Sequence, residues 1–279
     1  MVSTRDADTT TPLAVAVAQF APGPDKAQNL ATIRRLAERA VDRGAALVVF
    51  PEYTSFFVAE LGQAMVDNAE PIDGPFVSAL SGLARELGVH LVAGLVERAD
   101  AGESHGRFSN TLVAVDESGS LVAQYRKLHL YDAFGQRESD WVVPGVIDEP
   151  ETFSLRGLTV GMQTCYDIRF PEVTRRIVDA GADLVLVPSE WVRGPLKEAH
   201  WRTLVTARAI ENTVYVAAAD QAPPIGVGNS MIVDPMGVEL ATVGEETDVA
   251  LAWVSQDRLE QVRSVNPALA LRRFRVVPR

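Results

Sequence analysis

GAALVVFPEY (residues 44–53) and GADLVLVPSE (residues 181–190) share Gly, Ala, Leu, Val and Pro at matching positions. Each reads as a helix-stopping glycine, a short apolar strand buried on both faces, and a proline that ends the strand. The order around them repeats as well. In the first half PLAVAVAQF (12–20) reads as a strand, NLATIRRLAERAVDRG (29–44) as a helix, AALVVFP (45–51) as a strand, PFVSALSGLARELG (75–88) as a helix and VHLVAGLVE (89–97) as a strand. In the second half LTVGMQTC (158–165), PEVTRRIVDAG (171–181), ADLVLVP (182–188), HWRTLVTARAIEN (200–212) and TVYVAAAD (213–220) follow the same alternation. NTLVAVDESGSLVA (110–123) and NSMIVDPMGVELA (229–241) read as hairpins, each turning at Asp-x-x-Gly. Two copies are too few for a solenoid. The expectation is an α/β fold of two structurally related halves whose sheets stack face to face with helices outside, a four-layer α-β-β-α sandwich.

The bulk properties narrow the classes of function. The 279 residues allow two domains or one large one, and the repeat favours one domain over 12–279. Residues 1–11, MVSTRDADTTT, lack the apolar core of a signal peptide and read as a disordered tail. No apolar run reaches the roughly 18 residues that span a bilayer, so no membrane partner is expected. A net charge of −11 opposes general nucleic-acid binding, which needs a basic face. Within 257–279, however, six Arg face only Asp257 and Glu260. This basic tail, from about 266, is expected to lie on the acidic body or on a second subunit. With a single cysteine there is no internal disulfide, which suits a reducing, cytoplasmic setting. His90, His105, His129 and His200 are scattered without zinc spacing, so no metal is expected. Gly226 and Gly228 precede a hairpin instead of a helix, which removes the dinucleotide-binding context.

Three residues at strand ends carry candidate chemistry. Cys165 closes an apolar strand ahead of a turn and helix, where free backbone N–H groups lower a thiol pKa and stabilise an oxyanion. Read alone, it fits a small buried hydrophobe better than a nucleophile. Glu52 follows Pro51 and is placed to act as a general base, or is an exposed loop carboxylate. Lys127, in QYRKLHLYD, is an oxyanion-stabilising cation or an edge-strand charge that opposes aggregation. His129 has the parity of Lys127 if the strand continues, and reads as a supporting residue.

Taken together, VVFPE around Glu52, YRKLHLYD around Lys127, GMQTCYDIRFPE around Cys165, ARAIENTVYVAAA (207–219) and GNSMIVDPMGVEL (228–240) resemble, in order, the motifs of the nitrilase, or carbon–nitrogen hydrolase, superfamily. The resemblance runs from about Ala14 to Arg275. It implies a Glu52–Lys127–Cys165 triad, with Cys165 as nucleophile, Glu52 as proton shuttle, and Lys127 with the Tyr166 backbone N–H holding the oxyanion. Glu138 matches a second glutamate that orients the lysine. KLHLYD and CYDIRFPE are similar to the omega-amidase and deaminated-glutathione-amidase branch, which implies a small amide substrate and ammonia release. N-carbamoyl hydrolysis, nitrile hydrolysis and a catalytically silent binding protein are the alternatives. Arg169 is the candidate clamp for a substrate carboxylate, or a structural ion-pair partner of Glu172 or Asp167. Tyr53 and Trp191 are candidates for the pocket wall. The loop 131–135 departs from the branch pattern. No cofactor is implied, and the resemblance carries a homodimer in which the tail crosses to the partner.

Overall fold

The structure, a computed structural model, describes residues 12–99, 102 and 106–278. The segment 1–11, expected to be a disordered tail, lies outside the described residues. In chain order the elements are β1 (Leu13–Gln19), α1 (Lys26–Asp42), β2 (Leu47–Val49), α2 (Gln63–Asp67), α3 (Pro75–Leu87), β3 (His90–Arg98), β4 (Phe108–Val115), β5 (Leu121–Arg126), β6 (Val142–Val143), β7 (Thr152–Leu155), β8 (Leu158–Met162), α4 (Pro171–Asp179), β9 (Leu184–Ser189), α5 (Lys197–Asn212), β10 (Tyr215–Asp220), β11 (Met231–Val233), β12 (Glu239–Thr242), β13 (Asp248–Val254) and α6 (Gln256–Val265).

One sheet runs β13-β1-β2-β3-β4-β5, with β6 beside β4, and the other runs β7-β8-β9-β10-β11-β12. The pairing senses match strand for strand. β1-β2-β3 and β8-β9-β10 are parallel, and the flanking strands are antiparallel except the short β6, which pairs parallel with β4. The two halves are therefore related in topology as well as in sequence. Local details agree. Gly44 and Gly181 sit after equivalent helices at φ +92° and +103°, a region that costs a side chain dearly. At the hairpin turns, Asp116 accepts from the Ser118 and Ser120 N–H groups, and Asp234 accepts from those of Met236 and Val238. These Asx turns are the physical content of the repeated Asp-x-x-Gly.

Side-chain alternation along each strand builds the layers. Val15, Val17, Leu47, Val49 and Val92 from one sheet meet Val160, Met162, Leu184, Leu186 and Ala217 from the other in the central core. The opposite faces, with Ala16, Val48 and Leu91, pack on Ile33 and Leu36 of α1 and Leu80 of α3. Val185, Val187 and Val216 pack on Ile177 of α4 and Trp201 and Val205 of α5. Each fully buried Val or Leu contributes roughly 1.5–3 kcal/mol, and the order is the four-layer sandwich. The edge strand β13 comes from the far end of the chain and closes the first sheet beside β1. Among the described residues no helix is long and apolar enough to cross a membrane.

One close approach ties the first sheet to the segment that follows β2. A Cβ on Gly94 would lie 2.3 Å from the Tyr53 backbone nitrogen and 2.8 Å from the Glu52 carbonyl carbon. Backbone atoms cannot swing aside as a side-chain tip does. Gly94→Ala is expected to cost about 1–3 kcal/mol through overpacking, read as a fall of several degrees in the thermal midpoint; an unchanged midpoint would contradict this account.

Candidate active site

The C-terminal ends of the central strands meet at one end of the sandwich, and the candidate residues stand there. Phe50 and Pro51 turn the chain out of β2 and deliver Glu52, which is 1% exposed. Its Oε1 accepts from the Asn110 amide at 2.6 Å and from the Lys127 ammonium at 3.0 Å. Its Oε2 accepts from the Glu190 backbone N–H at 2.6 Å. The Glu52 carbonyl accepts from the Gln221 amide at 2.9 Å, so the second sheet grips it from behind.

Lys127 follows the edge strand β5 and is equally buried. Its Nζ lies 2.9 Å from Glu138 Oε2 and 3.0 Å from Glu138 Oε1. Burial alone would lower its pKa. The Glu138 and Glu52 carboxylates outweigh that and hold it well above the usual lysine value. Glu138 sits in a short 3-10 turn, Glu138–Asp140, and accepts from the Tyr53 hydroxyl at 2.7 Å, the Asn110 amide at 3.3 Å and the Tyr131 N–H at 2.5 Å. Tyr53 therefore lines the cavity while its hydroxyl is spent on Glu138.

Cys165 opens a 3-10 turn over Cys165–Arg169, closed by the Asp167 N–H on the Thr164 carbonyl at 2.9 Å and the Thr164 N–H on the Asp167 carboxylate at 3.4 Å. Its φ of +44° is a strained value for a non-glycine residue, of the kind found where a side chain must be presented at a sheet end. The thiol points to the Glu190 carbonyl at 3.5 Å. The sequence reading expected a lowered thiol pKa. Instead burial pushes it well above the ordinary value, Glu52 adds to the rise, and Lys127 opposes it. The physical reason is that desolvation and a nearby carboxylate both penalise the thiolate.

These groups border a cavity of about 320 Å³, walled by Tyr53, Lys127, Glu138, Cys165, Tyr166 and Trp191 among others. Glu52 is not part of that wall, and its carboxylate is held beside it by Lys127 and the Glu190 N–H. Trp191 is locked by its N–H to Asp220 Oδ1 at 2.6 Å and its indole N–H to the Lys197 carbonyl at 2.9 Å.

The supporting role of His129 beside Lys127 and the ion-pair alternative for Arg169 fail on geometry. His129 does not share a face with Lys127, because β5 ends at Arg126. Its ring bonds Asp167 at 2.8 Å, stacks on Phe170, and borders a separate groove. Arg169 pairs with neither Glu172 nor Asp167, whose carboxylate is taken by His129 and Tyr125. Its guanidinium lies over the Trp191 ring at 4.8 Å, with Nη2 3.3 Å from His200 Nδ1.

Three residues of the site carry no functional signal in the sequence. Asn110 reads only as the start of a hairpin. Lys197 sits just before the helix as read from His200. Glu190 closes the very stretch that decides the fold. Burial, then Glu52, raise its carboxyl well above the usual range. Among the described residues no group of three or more His, Cys, Asp and Glu is placed to hold a metal ion.

Removing Lys127 would leave two buried carboxylates facing each other without a cation. Lys127→Met is expected to cost about 3–5 kcal/mol, with a smaller loss at acidic pH, where a carboxyl takes up a proton. Denaturant unfolding at two pH values measures both; a neutral substitution would show that the ammonium does not hold the cluster.

Residues 14–264 match the family model described as Carbon-nitrogen hydrolase. A deaminated glutathione amidase of Escherichia coli O157:H7 is 37% identical over 260 residues, covering 93% of this chain and 97% of that protein. The NitFhit protein of C. elegans superposes with a TM-score of 0.85 at 30% identity, covering 95% of this chain and 66% of that one. An amidase from Nesterenkonia sp. superposes with a TM-score of 0.75 at 29% identity, covering 97% and 100%. The family match covers nearly the whole sandwich and all three strand ends at its mouth, and the chain belongs to the carbon–nitrogen hydrolases of the nitrilase superfamily, enzymes acting on carbon–nitrogen bonds other than peptide bonds.

Proposed function

We propose that this hydrolase cleaves the amide of a small carboxylic acid, releasing ammonia through a thioester on Cys165. The observation that carries the reading is one cavity bordered by a thiol, Cys165, and a buried ammonium, Lys127, with the Glu52 carboxylate 3.0 Å from that ammonium. Relatives of both kinds found, by sequence and by structure, are called amidases.

In this reading Sγ of Cys165 attacks the amide carbon as Glu52 accepts the thiol proton. The raised thiol pKa makes that base necessary, since burial holds the resting sulfur as S–H. The new C–S bond leaves a tetrahedral oxyanion, held by the Lys127 ammonium and the Tyr166 backbone N–H. Glu52 then passes its proton to the nitrogen, the C–N bond breaks, ammonia leaves and the thioester remains. Glu52 next takes a proton from water, the oxygen attacks the thioester, the C–S bond breaks and the thiolate is reprotonated as the acid departs. Glu138 acts by positioning Lys127. A reducing compartment such as the cytoplasm suits a chain whose one cysteine must stay free.

The test is ammonia release across small amides, carbamoyl amino acids and nitriles. Amides are expected to be the best substrates. Cys165→Ala is expected to reduce turnover by more than about 10⁴-fold with an unchanged far-UV circular dichroism spectrum. Ammonia release that survives in Cys165→Ala sinks the mechanism; release confined to carbamoyl compounds or nitriles sinks the substrate class.

The same reading carries a homodimer in which the C-terminal tail crosses to the partner. In its support, Leu271, Phe274 and Val277 are 71%, 92% and 66% exposed, apolar surface left in solvent by one chain. A chain ending at Pro267 is expected to lose dimer mass by light scattering at micromolar concentration; a tight dimer of that chain would overturn the role of the tail.

A further inference from the structure

A buried carboxyl close to the thiol has no part in the chemistry proposed above. Asp220 closes β10 in the second sheet and is fully buried. Its Oδ1 accepts from the Trp191 N–H at 2.6 Å, and its Oδ2 has no hydrogen-bond partner among the described residues. A buried carboxyl with an unpaired oxygen is costly to keep. Burial pushes this carboxyl well above the usual range, against the Trp191 N–H, which favours the anion. A proton on Oδ2 still leaves Oδ1 able to accept. The contact to Trp191 therefore survives in either protonation state.

The Trp191 N–H belongs to the same peptide unit as the Glu190 carbonyl. That peptide is trans, and a planar trans unit holds its N–H and C=O pointing in opposite directions. The Glu190 carbonyl is the group to which the Cys165 thiol points, at 3.5 Å. Asp220 on one side of the plane thus fixes the acceptor of the thiol on the other. The preceding peptide is held separately, by the Glu190 N–H on Glu52 Oε2 at 2.6 Å. Base and nucleophile therefore meet at two consecutive peptide units. Asp220 is itself tied to both sheets, because its N–H donates to the Ser230 hydroxyl at 2.9 Å, and that hydroxyl donates to Gln19 of β1 at 2.8 Å. Without the carboxyl, the Trp191 N–H would be left unpaired in a residue only 3% exposed. A buried N–H without a partner is unfavourable, and turning the plane to find another acceptor carries the Glu190 carbonyl off the thiol.

We infer that Asp220 is a positioning residue that sets the direction of the Cys165 thiol through the Glu190–Trp191 peptide. The inference rests on Cys165 being the nucleophile, as proposed above, but not on which carbon–nitrogen bond is cut. A purely electrostatic role would have the opposite sign. Burial and Glu52 raise the thiol pKa most, and Asp220 adds to that rise. Removing its charge alone would favour the thiolate and quicken Cys165, whereas removing its acceptor oxygen misdirects the sulfur and slows it.

Two measurements test this. The first is the rate of alkylation by iodoacetamide, followed by intact mass, in which Sγ displaces iodide. It needs no turnover, and it reads one sulfur because Cys165 is the only cysteine. In Asp220→Leu the rate is expected to fall about 10- to 100-fold, the scale for a reacting group displaced by about an ångström. Asp220→Asn keeps an acceptor oxygen and removes the charge, and is expected to stay near the parent rate. The second is kcat and KM for ammonia release from butyramide. In Asp220→Leu kcat is expected to fall by the same factor while KM changes little, and Asp220→Asn is expected to restore kcat. A melting midpoint above the assay temperature shows that Asp220→Leu is folded, and Asp220→Val, suited to a strand end, replaces it otherwise. A folded apolar variant that alkylates at the parent rate or faster overturns the inference. So does an Asp220→Asn enzyme as slow as Asp220→Leu, or a loss confined to KM. If no amide releases ammonia from the parent enzyme while alkylation still follows the acceptor on residue 220, the amidase reading fails and the positioning role stands.

Discussion

Lys127 holds two buried carboxylates within 3.0 Å of one ammonium, and the mouth of the sandwich is arranged around that contact. Taking three charges out of water costs several kcal/mol for each ion. Coulomb attraction alone does not repay this, and the remaining lone pairs must be satisfied. Here they are: Asn110 reaches both carboxylates, Tyr53 and the Tyr131 N–H serve Glu138, and the Glu190 N–H serves Glu52. Those partners come from β4, from the segments after β2 and β5, and from the end of β9 in the other sheet. The cluster therefore exists only when both sheets are in register, and Gln221 on the Glu52 carbonyl fixes that register from behind.

The internal repeat explains why such a site is asymmetric. Strand pairing places Val15 opposite Leu47 in one sheet and Val160 opposite Leu184 in the other. Counting along from these pairs, Phe20 stands where Cys165 stands, and Glu52 stands where Ser189 stands. Each half thus offers the same strand ends, but charge and nucleophile are divided between them. The first half contributes Glu52 and Lys127, the second Cys165 and Glu190. Phe20, equivalent to the thiol, is 2% exposed and packs in the core. A duplicated scaffold supplies two precise sets of strand ends, and one composite pocket uses them.

Much of this was legible in the sequence because period and punctuation are local properties. The apolar runs, the stopping glycines, the prolines at 51 and 188 and the Asx turns each reflect backbone needs within a few residues. β13 escaped because nothing local says that DVALAWV returns to the strand at the opposite end of the chain. Glu52, Lys127 and Cys165 were legible through their surrounding motifs. Glu190, Lys197 and Asn110 were not, because their significance lies in three-dimensional burial: a carboxyl without a cation, a cation without a carboxylate, and an amide between two acids. The thiol pKa went the same way. A strand-end position predicts nearby N–H donors, but desolvation depends on what closes over the sulfur.

Cavity size and charge constrain a ligand together. About 320 Å³ is near the small end of ligand pockets, room for a small ligand. A protein of net charge −11 does not draw an anion inward by its overall field. An anionic substrate must then be captured by local charge, within about a Debye length of 8–10 Å. Lys197 stands in the cavity wall, and Lys127 is already paired with Glu52 and Glu138. A paired ammonium can stabilise a transient oxyanion without trapping a carboxylate at the thiol.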